Sequence, residues 1–119
     1  MTRWYALVGK EVVGPFDVMD PWYRAHAGSD WRHAEHMRTG IDPWLVDHHE
    51  LEDGHTVSTV FLGLDHSFHA DGLPVVFETM VFPECEWCER ASTWADAELL
   101  HAIAVASIQR SIARSEEQK

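Results

Sequence analysis

The apolar and polar positions fall into four blocks along the chain. In the first, RWYALVGKEVVGPF, two short apolar runs flank Gly9 and Lys10 and predict a pair of strands within residues 1–14. Residues 17–38 then read as short helices. The first is capped by Asp17 or by Asp20, since Pro21 is tolerated only in a first helical turn, and it ends at Gly28. Ser29 opens the second, which closes at Thr39 and Gly40. From Pro43 the pattern becomes extended. WLVDHHELEDGHTVSTVFLGL predicts two strands around the turn Glu52-Asp53-Gly54, and DHSFHADGLP leads into a third over residues 75–82. PECEWCERAS reads as a polar connection. Ser92 or Thr93 then caps a helix over residues 92–114, where Trp94, Ala97, His101, Ala104, Val105, Ile108 and Ile112 share one stripe. The tail SEEQK is expected to fray into solvent. The expected fold is one α+β domain spanning residues 1–119: an antiparallel meander of three strands over 43–82, extended by the N-terminal pair, three to five strands in all. The C-terminal amphipathic helix and one or two short helices in the N-terminal half pack against it.

Strand alternation raises a chemical question. Ser58, Val60, Leu62, Leu64 and His66 share one face, and Val57, Thr59, Phe61, Gly63 and Asp65 the other. In the next strand Val76, Glu78, Met80 and Phe82 oppose Val75, Phe77, Thr79 and Val81. Strands apolar on both faces suit the middle of a sheet covered on two sides, by helices or by a partner subunit, which leaves room for a homodimer. Against this background Asp65, His66 and Glu78 stand out, and His101 lies in the middle of the helical stripe. Two histidines with a carboxylate compose a metal shell, or an acid–base pair with an orienting group. They equally compose a ligand pocket of Asp65, His66, Glu78 and His101. The structural alternative is that His101 and Glu78 satisfy each other as a buried polar network. No catalytic residue is assigned.

Charge and composition narrow the partners. Twenty acidic against nine basic residues give a net charge of −11, which disfavours nucleic acid as a ligand because phosphate contacts need clustered Lys and Arg. No apolar run reaches the length of a membrane span, and Lys10 and Glu11 interrupt the N-terminus too early for a signal peptide, so a cytoplasmic protein is expected. Nine histidines are many for this length. Cys85 and Cys88 form a single CxxC. Zinc usually takes four ligands, so His69, His55 or a second copy would have to complete a site; otherwise the thiols sit in a loop. The βαβ setting of a redox CxxC is absent, as are a calcium-binding loop, a phosphate-binding glycine loop and a GxSxG nucleophile.

VSTVFLGLDHSF (57–68), PVVFETMVF (74–82) and STWADAELLH (92–101) together resemble a group of small bacteriophage and prophage proteins. The likeness covers about 45 residues, from Val57 to His101. It marks Asp65, His66, Glu78 and His101 as pattern positions without giving them a role, while the first 50 residues and the CxxC depart from it. The resemblance implies a phage-encoded accessory protein in the host cytoplasm, active in host takeover or against host defence. The expected mode is non-enzymatic: binding and inhibiting a host protein, or sequestering a small ligand. The alternatives are a small metal-dependent enzyme with a His/Glu site and a virion or assembly protein.

Overall fold

A computed structural model describes residues 3–65, 73–83 and 88–118. Strands β1 (Trp4–Val8) and β2 (Glu11–Phe16) form an antiparallel hairpin. Helix α1 (Pro21–His26) starts at Asp20, whose side chain accepts the Tyr23 N–H at 3.0 Å, with Pro21 in the first turn. Helix α2 (Ser29–Thr39) ends at Gly40, which takes the left-handed conformation at φ 78°. Strands β3 (Leu45–Glu50), β4 (Thr56–Phe61), β5 (Phe77–Phe82) and β6 (Cys88–Ala91) follow, and helix α3 (Trp94–Glu117) closes the chain.

The α+β architecture expected from the sequence is present, with three differences. The first is that α3 continues through Ser115 and Glu116 to Glu117, where a fraying tail was expected. The N-terminal hairpin forms its own two-stranded sheet and does not extend the meander; it is joined to the end of β4 by a bridge between Trp4 and Leu64 and by the Tyr5 N–H donated to Gly63 O at 2.7 Å. The main sheet, in the order β3-β4-β5-β6, is antiparallel throughout, and its fourth strand comes from the segment read as a polar connection. CERA escaped the pattern because β6 is an edge strand with only Ala91 buried, so pairing with β5 and not burial makes it extended.

One face of this sheet carries the core. Val57, Thr59 and Phe61 of β4 and Phe77, Thr79 and Val81 of β5 are buried there, and α3 lays Ala97, His101 and Ala104 against them. The two alanines let the helix approach closely at either side of His101. Phe61 is the hub of an aromatic series, with Trp44 at 5.3 Å and Phe77 at 5.4 Å, and Trp94 lies 6.3 Å beyond Phe77. Gly63 is required beside it: its φ is +75°, and a Cβ there would lie 2.7 Å from the Trp44 ring. On the opposite face Ser58, Val60, Glu78 and Met80 stay partly exposed, so helical cover is one-sided. At 24 residues α3 is about 36 Å long against about 20 Å for a six-residue strand. Its last turns therefore run beyond the sheet, beside the β3–β4 turn. Among the described residues no helix is long and apolar enough to cross a membrane.

Candidate metal centre

His101 is buried in the core at 2% exposure, and both of its ring nitrogens have side-chain partners. Its Nδ1 lies 2.8 Å from Thr59 Oγ1, which in turn lies 2.6 Å from Thr79 Oγ1. The two threonines face each other across β4 and β5, so the pair forms because both strands place a hydroxyl at the same level of the core. On its other side His101 Nε2 lies 2.8 Å from His49 Nδ1 and 3.6 Å from Asp47 Oδ2. Asp47 Oδ1 is 3.7 Å from His49 Nδ1.

The backbone explains the meeting. Asp47 and His49 are two apart on β3 and pair with Thr59 and Val57, so alternation sends both towards the α3 side. β3 is an edge strand, and both side chains are about half exposed (49% each) while His101 beneath them is buried. The three groups thus span the mouth of the wedge between β3 and α3, one ligand at its floor and two at its rim.

Burial holds the His101 imidazole below its ordinary pKa; nearby Asp47 opposes this, and His49 and His48 reinforce it. The ring is accordingly neutral at neutral pH and has one N–H. When Nδ1–H donates to Thr59, Nε2 presents a lone pair to the wedge. This is the ligand tautomer, with the hydroxyl in the outer-shell role that orients metal-binding histidines. Asp47, His49 and His101 offer ligand atoms within 4.8 Å of one another, and among the described residues the group stops at these three. Asp47 faces the two rings with a different oxygen each, Oδ2 towards His101 and Oδ1 towards His49, while the two ring nitrogens lie 2.8 Å apart, a hydrogen-bond distance. Two imidazoles and a carboxylate are residue types compatible with a divalent ion of the zinc class.

The residues singled out by the sequence are dispersed. Glu78 does not meet His101: it points to the opposite face of β5, where its carboxylate accepts Arg90 Nε–H at 2.9 Å. The expected His101–Glu78 network is replaced by His101–Thr59–Thr79, because Thr79, and not its neighbour Glu78, occupies the helix-facing register. Asp65 is a fastener. It ion-pairs with Arg3, accepts the Val75 N–H at 2.9 Å, and donates its own backbone N–H to Arg3 O at 3.0 Å, tying the N-terminal hairpin to the main sheet. His66 and Cys85 lie outside the described residues, as does His69. Cys88 is exposed on β6 opposite Met80, on the sheet face away from α3.

Comparison with family models, curated proteins and solved structures finds no match for this chain. The site therefore stands on its own chemistry. Asp47 and His49 had a signal in the sequence: within VDHHE, positions 47 and 49 share a face. Thr59 and Thr79 had one too, as the single polar residue on the helix-facing side of β4 and of β5. A cavity of about 710 Å³ lies elsewhere among the described residues, between the β1–β2 hairpin and the start of α3, where Lys10 sits 5.6 Å from the Trp94 ring.

Proposed function

We propose that this chain is a non-enzymatic binding protein that holds a divalent metal ion of the zinc class on Asp47, His49 and His101. The observation that carries the reading is the buried His101, with one ring nitrogen engaged by Thr59 and the other 2.8 Å from His49 beside a carboxylate. A histidine needed only to fill the core would gain nothing from facing a second imidazole and an acid at a solvent-open wedge. Two nitrogens and one oxygen favour a first-row transition ion over magnesium or calcium, which prefer all-oxygen shells.

Calorimetric titration of untagged, chelator-treated protein with Zn²⁺ tests this. One equivalent is expected to bind saturably, with binding abolished in His49→Ala and Asp47→Ala. A Cys85→Ser/Cys88→Ser variant is expected to bind as the parent does. Loss of zinc in the cysteine variant and retention in the other two would transfer the metal to the CxxC and sink this assignment.

A further inference from the structure

Away from the wedge, Lys10 holds its ammonium over the Trp94 ring, 5.6 Å from the centroid. Lys10 lies in the turn between β1 and β2, is exposed, and makes no ion pair among the described residues. Trp94, by contrast, is fixed: the fully buried Phe77 packs perpendicular to it from the core side at 6.3 Å. Both residues line the cavity of about 710 Å³, a volume ordinary for a small-molecule site. Buried Tyr5 and half-buried Val12 belong to its wall, and its other charged side chains are Glu11 and Glu98. Glu98 stands one helical turn after Trp94, on the same side of α3.

We infer that this cavity binds a small organic ammonium ion, whose charged head takes the place over the Trp94 ring that Lys10 holds in the free protein and whose apolar body fills the cavity. Lys10 itself shows that the ring face accepts a cation. Its hold there is weak, because an exposed cation–π contact is a small interaction and no carboxylate anchors the ammonium. Its flexible four-carbon stem lets it swing out to solvent. The charge balance then favours the guest. With Lys10 in place the lining carries one positive and two negative side chains; with Lys10 displaced, the guest faces both carboxylates on a chain of net charge −11. Glu11 and Glu98 stand beyond ion-pair distance of Lys10, so they act on the ring face as a field and not as contacts. An anion meets that field as repulsion, and Lys10 offsets only half of it. A neutral guest of the same shape gains burial alone. None of Asp47, His49 and His101 lines this cavity, so its ligand and the zinc site are independent.

The test titrates the ¹⁵N-labelled full chain at pH 7 and low salt with phenethylammonium, 2-phenylethanol and 3-phenylpropionate. The readout is the Trp94 indole N–H resonance, identified by its loss in Trp94→Phe. Trp94 Nε1 is buried without a hydrogen-bond partner, so its shift reports the surroundings of the ring and not exchange with water. Phenethylammonium is expected to shift it saturably at millimolar concentration, with the alcohol several-fold and the carboxylate at least tenfold weaker. Lys10→Gln removes the resident cation and is expected to tighten phenethylammonium several-fold; Glu98→Gln is expected to weaken it. Both positions are exposed, and unchanged melting curves are expected for both variants. His49→Ala is expected to bind the amine as the parent does. No saturable shift with phenethylammonium overturns the inference. The alcohol binding as well as the amine shows selection for apolar bulk alone and overturns the cationic ligand. Unchanged or weaker binding in Lys10→Gln shows that the guest does not take the lysine's place and overturns the seat over Trp94.

Discussion

Thr59 Oγ1 lies 2.8 Å from His101 Nδ1, and that contact decides which ring nitrogen faces the wedge between β3 and α3. Thr59→Val keeps the side chain's shape and removes the hydroxyl, leaving a buried ring nitrogen without its partner. A stability loss of about 1–3 kcal/mol is expected, together with a roughly 10–100-fold loss of zinc affinity, as for other outer-shell partners. Denaturant unfolding and calorimetry measure the two, and Thr59→Ser is expected to restore both. Unchanged zinc affinity in Thr59→Val would show that the hydroxyl does not orient the ligand.

His101→Leu separates the metal role from the packing role. No carboxylate is orphaned by the change, since Glu78 keeps Arg90 on the other face and Thr59 keeps Thr79. The metal-free variant is therefore expected to stay within about 1.5 kcal/mol of the parent, the usual range for a swap of similar volume. Zinc at a hundredfold excess over its Kd stabilises a one-site protein by about 2.7 kcal/mol, and the variant is expected to lose that increment entirely. Melting curves with and without zinc give both quantities. A metal-free loss of about 3–5 kcal/mol, the size expected when one half of a buried ion pair is removed, would instead place a buried charge beside His101.

Acid is expected to destabilise the metal-free protein through His101. Burial, the leading cause, depresses the folded-state pKa below the value of about 6.5 that an unfolded histidine has. On acidification from neutrality the unfolded chain takes up this proton first, so unfolding gains protons and stability falls as pH drops below about 6.5; above that value the contribution is constant. Melting temperatures between pH 5 and 7.5 for the parent and His101→Leu isolate the effect, because the carboxylates common to both cancel. The parent is expected to lose ground to the variant on the acid side, and parallel curves would remove His101 as the source.

The division between what the sequence shows and what it hides follows from the physics of each signal. Alternation and turn chemistry act within a few residues, so β3, β4, β5 and the turn at Gly54 are legible, as is the α3 stripe from Trp94 to Ile108. β6 is not, since an exposed four-residue edge strand owes its conformation to β5 and carries no apolar period of its own. At the site, the sequence correctly turns His101 towards the sheet. Choosing its partner, however, requires knowing which row of β5 faces the helix. A one-residue step exchanges Thr79 for Glu78, and a lone carboxylate in FETMVF draws the eye more than a threonine does. Asp47 and His49 need a further fact, that β3 is the outer neighbour of β4, which pairing supplies and local pattern does not.

Gly63 links the aromatic core to the site, and substituting it is expected to harm both. In Gly63→Ala the backbone must hold φ +75° with a side chain, at a cost of about 1–2 kcal/mol. The new Cβ also meets the Trp44 ring at 2.7 Å. That ring cannot simply step aside, because Phe61 packs edge-on against it and the Arg32 guanidinium, itself bonded to Asp42, stacks on it at 4.5 Å. Overpacking of this kind adds about 1–3 kcal/mol. Gly54→Ala supplies the control: its φ is +91°, yet nothing lies within 4 Å of the added carbon, so it is expected to show the backbone cost alone. The difference between the two variants in denaturant midpoint then measures the Trp44 contact. Trp44 O accepts the Phe61 N–H at 2.8 Å just before β3 begins, three residues ahead of Asp47. A displaced Trp44 disturbs the strand that presents Asp47 and His49, so zinc affinity is expected to fall in Gly63→Ala and to hold in Gly54→Ala. Equal affinity in both variants would show that the aromatic core and the ligand strand are mechanically independent.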